Sequence, residues 1–248
     1  MTETSLDEEL QALDAQIVQL GAMSDDALEK ALAALEMRDY AKASMVIGVD
    51  HTIDSVRKAI EEHAIRLLAW QQQLNGQQLR YLMSALMIAS NLERIGDGAA
   101  GIAKMLLRMT FSDPKNTTFS SNPLDARGYV SEISILRGIL DLGKEARRVL
   151  QGTMKAFAER DVKTARYLWQ EDDVVDVRYH LVRHDLMNML AGTQALTALR
   201  SDSDILLRAT YLFWIAHKLE RVADHCTNIC ERIVFIIEGE TTITYPDL

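Results

Sequence analysis

With 248 residues, 48% of them hydrophobic, the chain is long enough for one large or two small domains with a sizeable core, and too apolar to be disordered. Its formal net charge of −9 excludes the basic surface of a general nucleic-acid binder. The acidic start "MTETSLDEEL" does not read as a secretory signal, and no run approaches the ~18 apolar residues of a membrane span. The two cysteines, Cys226 and Cys230, stand four apart in one helical pattern where a disulfide is disfavoured, so a reduced, cytoplasmic setting is expected.

Pro114, Pro123 and Pro246 are the only prolines, and they fall in a polar stretch at 112–126 or in the C-terminal tail. Elsewhere Leu, Ala, Met, Glu, Gln and Arg dominate and no period-2 strand pattern stands out, so the predicted class is all-α. Apolar periodicity near 3.6 predicts helices over 5–37, 40–73 and 77–110. The Ser-, Asn- and Pro-rich linker "SDPKNTTFSSNPLDA" (112–126) follows, and then helices over 127–159, 162–191 and 203–238. Asp39 and Asp161 read as N-caps of the second and fifth helices. Asn75–Gly76 reads as a turn, and "RSDSD" (200–204) as the cap of the last helix.

The two halves align. An offset of 122 carries Asp39 to Asp161, Asp50 to Asp172 and Asp54 to Asp176. After a five-residue insertion the offset becomes 127 and carries Glu93 to Glu220, Arg94 to Arg221 and Asp97 to Asp224. Six long helices therefore form two tandem repeats, 1–111 and 127–240, followed by a tail at 241–248. Short connections make each an up-down-up three-helix bundle.

The motifs "LERIGDGAAGI" (92–102) and "LERVADHCTNICE" (219–231) carry the chemistry. At ~100° per residue, Glu220 and Asp224 lie within ~40° of each other on the edge of an apolar stripe, and Glu231 joins the same line. Glu93 and Asp97 repeat the pattern, as do Asp50, Asp54 and Glu61 on the second helix. Asp54 and Asp97 both lie ~32 Å from the turn between their helices, so they stand level. Asp176 stands level with His217, about one turn from Glu220. Two acid quartets follow: Asp50, Asp54, Glu93 and Asp97, and Asp172, Asp176, Glu220 and Asp224. Converging carboxylates need a cation or a proton between them. Oxygen ligands suit Mg²⁺, Ca²⁺, Mn²⁺ or ferric iron, while His217, His225 and Asn228 would widen the second site toward zinc or Fe²⁺. The plainer reading is a solvated helix face in which Arg94 and Arg221 form i,i+3 salt bridges with Asp97 and Asp224.

These motifs, with "VDHTIDSV" opening the acidic part of the second helix and "LRYLMSALMIASNLERIGD" leading into the first motif, resemble the E/D-x-x-x-D signature of the PhoU family of phosphate-signalling proteins. The resemblance covers nearly the whole chain. It implies two three-helix bundles with multinuclear iron or zinc on Glu93, Asp97, Glu220 and Asp224, together with Asp50, Asp54, Asp172 and Asp176. It also implies a non-enzymatic, negative regulator of the phosphate-starvation response. Such a regulator contacts the phosphate-specific ABC transporter and a sensor histidine kinase, touches the membrane only through them, and can form a homodimer. The chain departs from the family pattern at Gly98 and Gly101, which stand where the second motif has His225 and Asn228. Either the first site is the weaker or a partner backbone approaches it closely.

Other features carry plainer expectations. Cys226 and Cys230 should be core, His180 and His184 surface, most methionines core, and Trp70, Trp169 and Trp214 packing anchors. No nucleophile elbow, phosphate-binding loop or zinc-protease motif is present in the sequence. A metal-dependent phosphate-ester hydrolase or a metal store using the same carboxylates is the competing class.

Overall fold

A computed structural model describes residues 6–70, 74–110, 132–191 and 205–239. The helices are α1 (Leu6–Met37), α2 (Tyr40–Trp70), α3 (Gly76–Thr110), α4 (Glu132–Glu159), α5 (Val162–Gln170), α6 (Asp172–Ala191) and α7 (Ile205–Glu238). The predicted linker at 112–126, the cap at 200–204 and the tail lie outside the described residues, as do the outermost residues expected for some helices.

The helix predicted over 162–191 is divided. Glu171 interrupts it, with its N–H shared between the carbonyls of Tyr167 and Leu168 and φ, ψ of −69° and −8°. The Glu171 carboxylate is engaged by Arg148 of α4. The interruption leaves Asp172 as the first residue of α6. The reading of Asn75 also needs revision. Its side chain accepts from the Gln78 N–H at 2.8 Å while Gln78 Oε1 accepts from the Asn75 N–H at 3.0 Å, so Asn75 is a reciprocal N-cap with Gly76 already inside α3.

The repeat is written into the backbone. Arg38 and Arg160 both adopt left-handed φ, 53° and 55°, and close the preceding helix. The next residue then caps the following helix: Asp39 accepts from the Lys42 N–H at 2.9 Å, and Asp161 from the Thr164 N–H at 3.1 Å. Both Asp N–H groups reach back to an alanine carbonyl, Ala34 and Ala156, at 2.9 Å.

Helices α1, α2 and α3 form one bundle around Leu13, Ile17, Leu28, Ile53, Ile60 and Leu92. The second bundle, α4 to α7, packs around Ile139, Leu142, Phe157, Val175, Leu219 and Ile229. Cys226 and Cys230 are fully buried in it, as expected, and burial pushes the Cys230 thiol up to about 12. The bundles join along α3 and α7, which run antiparallel, so that Met87 meets Arg232, Asn91 meets His225 and Gly98 meets Lys218. A second seam joins α1 to α4, where Arg147 grips Asp25 through two nitrogens at 2.8 and 2.9 Å and also reaches Glu29. No described helix is long and apolar enough to cross a membrane.

Candidate functional site

The acidic residues separate into groups that the helical wheel alone did not distinguish. On the α2/α3 edge, the Asp97 carboxyl is pushed up to about 6. Partial burial is the main cause, followed by the Glu93 charge and a hydrogen bond with Asp50. Two carboxylates can share a hydrogen bond only by holding a proton between them, and the shift expresses that. Lys104 approaches Asp50 at 3.6 Å and supplies part of the compensating charge. Asp54 is drawn elsewhere. Lys58 binds it at 2.6 Å and Arg57 at 3.0 Å, which holds its carboxyl below the usual range. Glu61 is likewise taken by Arg57 at 2.7 Å.

The second group keeps all four predicted members in electrostatic reach. Asp172 is pushed up to about 6, first by burial and then by the charges of Asp176, Asp224, Asp173 and Glu220. Its Oδ1 is buried and has no hydrogen-bond partner. The break at Glu171 is what starts α6 at this carboxylate. Asp224 is raised by burial and by Asp176, against the pull of Arg221 at 3.5 Å. The i,i+3 pair of Arg221 with Asp224 therefore forms as the plainer reading expected. Glu220 accepts from His217 Nδ1 at 2.8 Å. Glu231 leaves the acid line and accepts from Trp169 Nε1 at 3.3 Å. Asn228 turns toward α3, its amide 3.4 Å from Asn91 Oδ1. His180 and His184 are exposed, and His184 lies beside Asn188.

Among the described residues no three His, Cys, Asp or Glu side chains stand close enough together to hold a metal ion. The charge and oxygen donors of the second quartet would suit a hard cation. The orphaned Asp172 oxygen is the observation that favours this fit. In the first group Lys104 already offsets part of the charge.

Gly98 and Gly101 have a packing explanation. The offset of 127 that carries the first motif onto the second also carries Asn91 to Lys218, Gly98 to His225 and Gly101 to Asn228. Across one side of the α3/α7 seam, Asn91 Oδ1 accepts from His225 Nδ1 at 3.0 Å and approaches Asn228. On the equivalent side Lys218 takes the place of Asn91. A Cβ on Gly101 would lie 3.2 Å from Lys218 Cε, and one on Gly98 would lie 4.0 Å from the Lys218 carbonyl. The longer side chain and Gly101 are complementary exchanges at symmetry-equivalent places. The close approach at Gly101 is thus made by a side chain of the chain's own α7, not by a partner backbone. Gly96 makes a different approach, since a Cβ there would meet Ile53 Cδ1 of α2 at 2.9 Å.

Along this seam lies a groove of about 550 Å³, lined among others by Glu93, Arg94, Asp97, Trp214, Lys218 and Arg221. His217 and His225 belong to its wall. Burial and the charges of Arg221, Arg94 and Lys218 hold the His225 imidazole down at about 4, so it is neutral. Sequence reasoning missed Asn91 and Lys218, although the repeat offset pairs them. It read Trp214 as a packing anchor, whereas the residue is 46% exposed on the groove wall.

A profile of the PhoU domain matches residues 17–106 and 139–233, one match in each half. The chain belongs to the PhoU family. A phosphate-specific transport system accessory protein PhoU homolog of Caulobacter vibrioides is 30% identical over 239 residues, covering 96% of this chain and 92% of the relative. The corresponding homolog of Clostridium acetobutylicum is 26% identical and covers 97% of each chain. The crystal structure of the phosphate transport system regulatory protein PhoU from Streptococcus pneumoniae superposes with a TM-score of 0.77 at 28% identity, over 97% of this chain and all of the other. PhoU from Pseudomonas aeruginosa, 24% identical with a TM-score of 0.76, shares the fold.

Proposed function

We propose that this PhoU-family protein regulates phosphate uptake and phosphate-starvation signalling as a cytoplasmic, non-catalytic adaptor between a phosphate-specific ABC transporter and a sensor histidine kinase. Relatives across nearly its full length are named for the phosphate-specific transport system. The observation that carries the site-level part of the reading is the buried, unpartnered Asp172 oxygen, set amid the charges of Asp176, Glu220 and Asp224. A bound iron, zinc, manganese or magnesium ion would offset much of that quartet's charge and fasten α6 to α7. Asp172, Asp176, Glu220 and Asp224 would hold it. Glu93, Asp97 and Asp50 form the lesser second locus, since Asp54 is already paired with Arg57 and Lys58.

Deleting the gene is expected to derepress phosphate-uptake genes in phosphate-rich medium, and unchanged repression would refute the regulatory reading. Elemental analysis of native protein beside Asp224→Ala separates the metal from the regulation. Metal content should fall in the variant, and equal content would remove the second quartet as its locus. Turnover of phosphate esters by the metal-loaded protein would instead favour the hydrolase class.

A further inference from the structure

The α3/α7 groove is more cationic than the molecule around it. The chain carries a net charge of −9, yet three cations line this one surface. Arg94 and Arg221 are symmetry equivalents from the two facing helices, and Lys218 lies across Gly101. Arg221 has Asp224 at 3.5 Å. Among the described residues the side chains of Arg94 and Lys218 have neither an ion-pair nor a hydrogen-bond partner. Cations left unpaired in a groove favour an anionic ligand.

The same wall carries proton acceptors. Glu93 and Asp97 contribute carboxylates. Asn91 donates its amide to the Met87 carbonyl at 2.8 Å, which leaves Asn91 Oδ1 to accept from His225 Nδ1 at 3.0 Å. His225 Nε2 is then the lone-pair atom of the ring. Acceptors beside cations select for an anion that itself carries a proton. Sulfate has no hydroxyl at neutral pH, so the carboxylates repel it. A phosphomonoester, whose second pKa is ~6, has mostly lost its proton. Inorganic phosphate keeps a P–OH group and satisfies both sets.

We propose that the α3/α7 groove binds inorganic phosphate directly. Arg94 and Lys218 hold its charged oxygens, and a Glu93, Asp97 or His225 acceptor takes the P–OH hydrogen. The site uses the chain's own side chains and needs no metal. Its value as an input to signalling rests on the regulatory reading above, but binding itself does not.

Equilibrium dialysis of the full chain against labelled orthophosphate at pH 7.5 and fixed ionic strength tests this, with and without a chelator. Binding should saturate and survive chelation. The Arg94→Gln/Lys218→Gln double variant should weaken it by about tenfold or more, consistent with loss of charge-assisted hydrogen bonds. Lys30→Gln, exposed on α1 and outside the groove lining, should leave it unchanged. Sulfate and a phosphomonoester should compete at least about tenfold less well. Thermal melts of each variant establish that it is folded. Absence of saturable binding to folded wild-type protein overturns the proposal, as does undiminished binding by the folded double variant or equal competition by sulfate or the ester. Loss of binding on chelation would place phosphate on a metal instead and also overturns it.

Discussion

At the level of single residues, the acid groups make stability depend on pH in a direction opposite to that of ordinary salt-bridged carboxylates. The Asp172 and Asp97 carboxyls titrate near 6 in the folded chain, against 3.8 as the ordinary value. Folding therefore favours their protonated forms. That favourable contribution is complete below about pH 4 and is lost as the pH rises through about 6. In chelated protein, Asp172→Asn should melt like wild type near pH 4 and progressively higher than wild type toward pH 7, as read by calorimetry. A difference that is constant with pH would show that Asp172 is not strained by its neighbours. The glycines offer a sharper contrast. Gly98→Ala meets nothing closer than 4.0 Å and should stabilise by about 0.5–1 kcal/mol through helix propensity. Gly96→Ala would press a Cβ to 2.9 Å from buried Ile53 and should cost about 1–3 kcal/mol despite the same propensity gain. Denaturant melts of the two variants should move in opposite directions.

At the level of the helix, local rules carried most of the information. The caps at Asp39 and Asp161 were legible because a short acceptor beside an apolar repeat has one common use, and both appear in the structure with matching bonds. Replacing either by Ala should cost about 1 kcal/mol, and chemical denaturation should show the two losses adding, since the caps lie in different bundles. The break at Glu171 was not legible. No proline or glycine marks it, and the partner that holds it is Arg148, a residue of another helix. The acid line on the second motif was read correctly in angle, yet Glu231 was captured by Trp169 and Asp54 by its own helix neighbours. A helical wheel gives direction but cannot report which of two nearby partners a side chain takes. The level calculation set Asp176 beside His217, whereas in the structure it is Tyr179 that faces His217 and the Asp176 charge acts on Asp172 and Asp224.

Across the whole molecule, the repeat was legible as an offset, but its packing was not. Periodicity defines which face of a helix is apolar and leaves open which helix covers it. In the structure α3 covers α7, and the Arg147–Asp25 clamp closes a second seam between α1 and α4. The two halves should therefore remain together without a covalent link. If residues 1–111 and 127–248 are coexpressed as separate chains, they should copurify as a one-to-one complex with the helicity of the intact protein. Placing a charge in the seam should undo it: Val222, 1% exposed and facing Gly98, should as Val222→Asp cost about 3 kcal/mol or more and release the two chains from each other. Copurification undiminished by that change would show that α1 and α4 alone hold the halves.

The seam between α3 and α7 has a consequence for how such a protein can vary. Two identical subunits meeting across a dyad must change both copies of a contact at once, and their pairing weakens on dilution. Here the dyad lies inside one polypeptide, so association is independent of concentration and each copy mutates alone. That freedom is visible in Lys218 opposite two glycines on one side and Asn91 opposite a histidine and an asparagine on the other. A duplicated chain can thus build a cleft whose two walls differ, which a symmetric pair could not present to a single small ion.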